Sequence, residues 1–75
     1  MTALEVVFRY RGTPGAAEMR AIDNVREVYG VRRVVFDERE RTVRVEYDAS
    51  RLSEAALASL LRRAGLDLQE RLALA

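Results

Sequence analysis

Four short stretches of the chain alternate between apolar and polar residues, which is the period-two pattern of strands with one buried face. They cover residues 4–11, 31–37, 42–47 and 66–72. In the first stretch, the side chains predicted to share the buried face are Leu4, Val6, Phe8 and Tyr10. In the third, they are Val43, Val45 and Tyr47. These patterns predict four strands.

The second stretch alternates imperfectly, because Val31 is out of phase with Val34 and Phe36. A bulge near Arg32 and Arg33 would bring the three apolar residues onto one face. The charged segment that follows, residues 37–42, has no glycine, so a two-residue primed turn is not expected. We predict a longer hairpin loop around a type I turn, with its charges in solvent.

Two segments change to the helical period. In the first, residues 16–29, the predicted inward stripe is Ala17, Ala21, Val25 and Val28, flanked by Ile22 and Tyr29. Gly30 follows this segment and suits a position with positive φ. In the second, residues 54–63, the predicted stripe is Leu57, Leu60, Leu61 and Ala64. Ser53 is a favourable N-cap for this second helix, and Gly65 closes it.

The element order is therefore βαββαβ, in a chain of 75 residues that has room for a single domain, residues 1–75. Two right-handed crossovers joined by a hairpin predict an α+β, ferredoxin-like fold. Its four-stranded antiparallel sheet has the spatial order 4-1-3-2, with both helices on one face. The other face would carry paired charges rather than the stacking aromatics of RNA-binding sheets of this topology.

Composition excludes several classes of function. Thirteen arginines and twelve acidic residues give a net charge of +1, and the signs are interspersed, so we expect no nucleic-acid partner. Without cysteine or histidine there is no disulfide, no thiolate or imidazole metal site and no Cys or His catalyst, so we expect neither an enzyme nor a cofactor. No apolar run is long enough to span a membrane, and no signal peptide is recognisable, so we expect a cytoplasmic protein and no membrane partner.

Two of the four glycines and the single proline lie between the first strand and the first helix. The candidate ligand-binding residues of this segment are Arg11, Gly12, Thr13, Pro14, Gly15, Ala16 and Ala17. Three interpretations stay open: a turn that packs Ala17 in the helix stripe, an anion-binding nest of N–H groups beside Arg11, or a loop that docks a partner.

Three stretches together resemble the heavy-metal-associated domain of copper chaperones and copper ATPases. The first is Tyr29, Gly30 and Val31, continuing through Val34 and Phe36. The second is the sequence VRVEYD at residues 43–48, and the third joins Leu52 and Ser53 through two leucines to Ala64 and Gly65. The resemblance covers nearly the whole chain and implies the same βαββαβ fold.

The ligand motif of that family, Met-x-Cys-x-x-Cys, aligns with residues 12–17. Gly12 stands in the position of the Met, and Pro14 and Ala17 stand in the positions of the two Cys. Proline and alanine side chains cannot bind copper(I), so the resemblance implies a degenerate member without a metal site. We expect a non-catalytic protein-interaction module that binds a protein partner or associates with itself. The alternative is weak anion or metal-ion binding at this loop.

Overall fold

The computed structural model describes residues 2–74 and has the element order βαββαβ. The elements are β1 (Ala3–Arg11), α1 (Ala16–Val25), β2 (Val31–Asp37), β3 (Thr42–Asp48), α2 (Glu54–Arg63) and β4 (Asp67–Leu74). The predicted α+β fold class is confirmed. The residues at the two ends of the predicted 1–75 domain, Met1 and Ala75, lie outside the described part.

The four strands form one antiparallel sheet in the order β2-β3-β1-β4, as the element order predicts. The central strands β1 and β3 pair in continuous register, with Val6 opposite Val45 and Phe8 opposite Val43. The pairing of β2 with β3 shifts register between Val31 and Arg33, so the predicted bulge is confirmed. The two edges of the sheet are β2 and β4.

The core lies between the sheet and the two helices. The largest fully buried side chains come from both layers: Tyr47, Val6, Val43 and Val45 from the strands, and Ile22, Leu57 and Leu61 from the helices. In β1, buried residues alternate with residues that face away from the helices, because successive strand residues point to opposite sides of a sheet. Period-two strands and period-3.6 helices therefore share one apolar interior.

The first helix is shorter than predicted, because α1 ends at Val25 rather than near Tyr29. The N–H groups of Glu27 and Val28 bond to the carbonyls three residues earlier, which tightens the chain into a turn. The predicted stripe is also wrong in part. Ala17 is exposed, and Ile22 and Val25 are the buried residues of this helix.

The last strand starts at Asp67 and continues to Leu74, two residues beyond the prediction. Its pairing with β1 shifts register twice, between Val7 and Phe8 and between Phe8 and Tyr10. Such irregularities twist an edge strand and discourage pairing with other chains. The apolar tail is therefore part of this strand through Leu74, and Ala75 lies outside the described residues.

The open face of the sheet carries ion pairs, as the sequence predicts. The paired side chains are Arg44 with Glu5 at 3.5 Å, Arg32 with Glu46 at 3.6 Å and Arg9 with Glu70 at 3.7 Å. All six side chains are well exposed, so each pair contributes at most about 1 kcal/mol to stability.

The connections cluster at two opposite ends of the sheet. The loop end comprises residues 12–15, 38–41 and 64–66, where β1 meets α1, β2 meets β3, and α2 meets β4. The Asp48 end comprises residues 26–30 and 48–53, where α1 meets β2 and β3 meets α2. The hairpin 38–41 is a four-residue loop with Arg41 at φ 54°, in agreement with the predicted longer turn. No helix in residues 2–74 is long and apolar enough to cross a membrane.

Candidate functional site

The loop of residues 12–15 connects β1 to α1 at the loop end. Gly12 has φ 81°, which glycine adopts at no steric cost. A Cβ added at Gly12 would meet nothing within 4 Å, so the surrounding structure leaves this position open. Gly15 is the N-cap of α1 and has extended backbone dihedrals that any residue can adopt. Thr13 is exposed and Pro14 is half-buried between the two glycines.

The first turn of α1 is closed by a carboxylate. The Gly15 N–H donates to Oε1 of Glu18 at 2.8 Å, and the Met19 N–H donates to the Gly15 carbonyl at 3.0 Å. This is the backward-reaching half of a capping box, and the negative charge also favours the positive end of the helix. A carboxylate therefore already lies where a nest of N–H groups would receive an anion.

The turn between α2 and β4 packs against this cap. Gly65 has φ 102°, and a Cβ added there would lie 2.9 Å from Cγ of Glu18. The Glu18 side chain is thus held between the start of α1 and the end of α2. The three-residue spacing of Gly15 and Glu18 is the sequence signal that could have identified this cap.

Neither residue at the thiolate positions of the resemblance offers a metal donor. Ala17 is exposed in the first turn of α1 and ends in a methyl group, and the half-buried Pro14 ends in a ring of CH₂ groups. Met19 carries the sulfur nearest in sequence, and it is half-buried. No group of three or more Asp, Glu, Cys or His side chains in residues 2–74 is placed to hold a metal ion. The residues present do not fit copper(I).

Arg11 lies beside the loop but is directed to the sheet edge. Its Nη2 donates to Oε1 of Gln69 on β4 at 3.3 Å. The two residues flank an open groove of about 820 Å³ that also carries Arg9, Arg41 and Glu70. Gln69 was not predicted as a site residue, because its approach to Arg11 depends on the pairing of β4 with β1. The groove mixes both signs of charge and is not a concentrated cationic site.

Tyr10 is a buried residue beneath the loop end. Only 3% of its surface is exposed, and its ring packs edge-on against Phe36, with the centroids 5.7 Å apart. Burial raises the pKa of the Tyr10 phenol above 10.0, Glu38 raises it further, and Arg41 partly offsets them. Tyr10 therefore stays neutral near pH 7 and acts as an apolar support for the loop.

The seven predicted loop residues do lie together at the loop end, and six of them are exposed. The Gly15 N–H is bonded to Glu18, and the Arg11 guanidinium is bonded to Gln69. The side chains at the two positions aligned with Cys, Pro14 and Ala17, are apolar. No buried side-chain nitrogen or oxygen in residues 2–74 lacks a hydrogen-bond partner. In this part of the chain, no buried polar side chain therefore needs a ligand to complete its hydrogen bonds.

Comparisons with known proteins address the fold. No protein-family model matches the chain, and no curated protein sequence matches it. Among solved structures, the chain is similar to the N-terminal domain of a potential copper-translocating P-type ATPase from Bacillus subtilis, determined in solution in the Cu(I)-loaded state. The match has a TM-score of 0.75 and 23% identity, and covers 91% of this chain and 86% of that one. The chain therefore has the ferredoxin-like fold of that domain, as the resemblance to heavy-metal-associated domains implies.

Proposed function

We propose that this chain is a non-catalytic domain, related to the domains of heavy-metal transport proteins, that has lost its thiolate metal site and acts as a protein-interaction module. The observation that carries the proposal is the loop of residues 12–15 and the first turn of α1. They connect β1 to α1, where the resemblance places the ligand motif, but they carry Pro14 and Ala17 at the positions of the two Cys. The similarity to a copper-loaded domain supports the relationship to metal transport.

The absence of a catalytic role is part of the same proposal. A nucleophile and its general base need side chains of suitable pKa within hydrogen-bond reach of each other. The chain has no Cys and no His, and its carboxylates are dispersed among arginines. A domain with an intact apolar core and no reactive centre is suited to binding, either to another protein or to a second copy of itself.

The alternative role, anion binding at the loop, is disfavoured by Glu18. Its carboxylate accepts the Gly15 N–H, and an anion arriving there would meet this negative charge. A metal ion bound by oxygen ligands alone would need several converging carboxylates or carbonyls. The proposed experiment includes both ligands as separate arms.

The test is a titration of the nitrogen-15-labelled protein with copper(I), zinc and phosphate, following the amides of residues 12, 13 and 15–17. We expect no saturable shift with any of them, because neither thiolates nor a free anion nest are present. Saturable shifts with copper(I) confined to these amides would overturn the proposal. Two further measurements test the interaction role. Sedimentation over a range of concentrations tests self-association, and calorimetry against a copper-chaperone domain tests partner binding.

A further inference from the structure

Tyr10 combines a buried ring with a hydroxyl that has no hydrogen-bond partner among residues 2–74. The residue is only 3% exposed, and its ring contacts Phe36. Its hydroxyl neither donates to nor accepts from any residue in that range. No buried side-chain nitrogen or oxygen in this part of the chain lacks a partner, so solvent reaches the Tyr10 hydroxyl oxygen. A tyrosine this deeply buried normally directs its hydroxyl to a partner, and a ligand could replace that solvent.

The hydroxyl lies at a small pocket between the β1–α1 loop and the hairpin loop of residues 38–41. This Tyr10 pocket has a volume of about 200 Å³ and is lined by Tyr10, Gly12, Thr13, Pro14, Glu38 and Arg41. Burial raises the pKa of the Tyr10 phenol, Glu38 raises it further and Arg41 lowers it, which places both charged side chains near the hydroxyl. Glu38 lines this pocket and not the larger groove beside Arg11, so the hydroxyl is directed into the Tyr10 pocket.

The two charged residues of the pocket are not neutralised by neighbouring side chains. Within the described part of the chain, neither the Glu38 carboxylate nor the Arg41 guanidinium forms an ion pair or a side-chain hydrogen bond. Arg9 and Arg44 differ in this respect, because each pairs with a glutamate on the open face of the sheet. The pocket therefore presents one carboxylate and one guanidinium that are both available to a ligand.

The backbone that carries these charges is fixed to β1. The Tyr10 N–H donates to the Arg41 carbonyl at 2.9 Å, and the Glu40 N–H donates to Oδ1 of Asp37 at 3.1 Å. Arg41 has φ 54°, a left-handed conformation that is uncommon for a residue other than glycine and that is found preferentially at ligand sites. A loop that is ordered before binding loses less conformational entropy when a ligand arrives.

The combination of opposite charges selects the kind of ligand. A simple anion at Arg41 would be repelled by the Glu38 carboxylate, and a simple cation at Glu38 would be repelled by the Arg41 guanidinium. A molecule that carries both charges pairs with both side chains through charge-assisted hydrogen bonds. The neutral Tyr10 hydroxyl can donate to a carboxylate or accept from an ammonium group. A volume of about 200 Å³ is below the range of drug-sized sites and suits a ligand of few atoms.

We propose that the Tyr10 pocket binds a free α-amino acid as its zwitterion. The ligand carboxylate pairs with Arg41, its ammonium group pairs with Glu38, and the Tyr10 hydroxyl forms a hydrogen bond with the ligand. This inference goes beyond the proposed interaction role, because it adds a small-molecule site at the loop end. The site is also distinct from an anion nest at the start of α1, since its charged groups are side chains of the hairpin loop.

The experiment is a titration of the nitrogen-15-labelled protein with L-alanine, with acetate and methylammonium as separate arms that each carry one of the two charges. With alanine we expect saturable shifts of the amides of Gly12, Thr13, Glu38 and Arg41, with a dissociation constant below about 10 mM. Binding of acetate or methylammonium alone within tenfold of alanine would overturn the assignment to a zwitterion. Alanine shifts that lie elsewhere, or that do not saturate in this range, would overturn the site.

Two tyrosine variants test the hydroxyl. Tyr10→Phe removes the hydroxyl and keeps the ring against Phe36, so we expect alanine binding to weaken about threefold to tenfold. The matched control is Tyr47→Phe, because Tyr47 is as deeply buried, at 2% exposed, and does not line the pocket. We expect less than about a twofold change in Y47F. Alanine affinity in Y10F equal to that in Y47F would overturn the role of the hydroxyl and with it the proposed site.

Charge variants of the hairpin loop separate specific pairing from net charge. Glu38→Gln and Arg41→Gln should each weaken alanine binding about tenfold or more, since hydrogen bonds to charged groups are the stronger class. The matched controls are Glu40→Gln and Arg39→Gln, which change the same charges in the same exposed loop but outside this pocket. We expect less than about a twofold change in either control. Equal losses within the pairs E38Q and E40Q, or R41Q and R39Q, would reduce the effect to net charge and overturn the proposal.

Discussion

The two turns that flank α1 are held in different ways. After the helix, the turn of residues 26–30 contacts side chains and backbone of other elements, through Arg26 to the Val34 carbonyl at 3.1 Å and through Gly30 to Asp48. Before the helix, the loop of residues 12–15 has a glycine in open space, Gly12, and a cap in which the Gly15 N–H donates to Glu18. The turn after α1 is held by hydrogen bonds to β2 and β3, whereas the loop before α1 is held by the cap from Glu18, which also packs against Gly65.

This difference explains how the fold forms without Cys at positions 14 and 17. Positions 14 and 17 contribute no buried side chain, since Pro14 is half-buried and Ala17 is exposed. The apolar core is formed by other residues of the strands and helices. Substitutions of Pro14 and Ala17 should therefore cost little stability, whereas substitutions in the turn of residues 26–30 disturb contacts between elements.

The largest contrast is expected between two glycine substitutions. Gly30→Ala combines φ 104° with Cβ contacts of 3.3 and 3.4 Å to Leu52 and Arg51, so we expect a loss of about 2 to 3 kcal/mol in the free energy of unfolding. Gly12→Ala has φ 81° and open space, so only the backbone term of about 1 kcal/mol applies. Urea denaturation of both variants measures the difference. Equal losses would show that the two turns are held alike.

Much of the fold was predictable, because the strands and α2 lie where hydrophobic period and local signals agree. The bounds of β2 and α2 match the predicted ranges. The bulge in β2 was predicted because Val31 is out of phase with the alternation of Val34 and Phe36. The Ser53 hydroxyl accepts the Ala56 N–H at 3.1 Å, as its cap position predicts. Where propensity, period and capping point to the same answer, a single sequence is sufficient.

The end of α1 was not predictable for a physical reason. Helical period continues to Tyr29, but Arg26 turns to the β2 carbonyl of Val34 and pairs with Asp23, and Tyr29 stacks on Arg51. These partners are distant in sequence except Asp23, so no local pattern contains them. In the candidate site, the absence of sulfur donors at Pro14 and Ala17 was visible in the sequence, whereas the approach of Gln69 to Arg11 depends on the pairing of β4 with β1.

A smaller contrast is expected between the two helix N-termini, which lie at opposite ends. Ser53→Ala removes the side-chain acceptor of the Ala56 N–H, and we expect a loss of about 1 kcal/mol. Glu18→Ala removes the acceptor of the exposed Gly15 N–H, which water can replace, so about 0.5 kcal/mol is expected. Thermal unfolding of both variants gives the comparison. A larger loss in E18A would mean that the Gly65 contact with Glu18 matters more than the cap.

The stability that Asp48 contributes should also depend on pH in the acid range. Hydrogen bonds from the Ser50 hydroxyl and N–H hold the pKa of Asp48 below its ordinary value of 3.8. A carboxyl with a depressed folded-state pKa stabilises the fold above its unfolded pKa, and this contribution is lost as the pH falls through the folded value. The stability difference between wild type and Asp48→Asn should therefore narrow below pH 3.8. Parallel curves of unfolding free energy against pH for the two proteins would contradict this expectation.

The smallest change in stability is expected for a double substitution that places sulfur ligands in the loop before α1. Pro14→Cys with Ala17→Cys places two thiolates on the loop end without removing a buried side chain. Losing the rigid proline costs about 0.5 kcal/mol through the unfolded state, and the fold should otherwise be unchanged. Two adjacent thiolates are soft ligands that select copper(I), so the variant should bind it.

The readout for P14C/A17C is copper(I) titration against a competing chelator, with shifts followed at the amides of residues 12, 13 and 15–17. The matched control is Pro14→Ser with Ala17→Ser, which has similar side-chain size and no thiol. Binding by the Cys variant alone would show that the loop end keeps the backbone geometry of a ligand loop and lacks only the sulfur atoms. No binding by a folded Cys variant would mean that the backbone of this loop has diverged along with its side chains, and the loop end would then differ from a metal site in shape as well as chemistry.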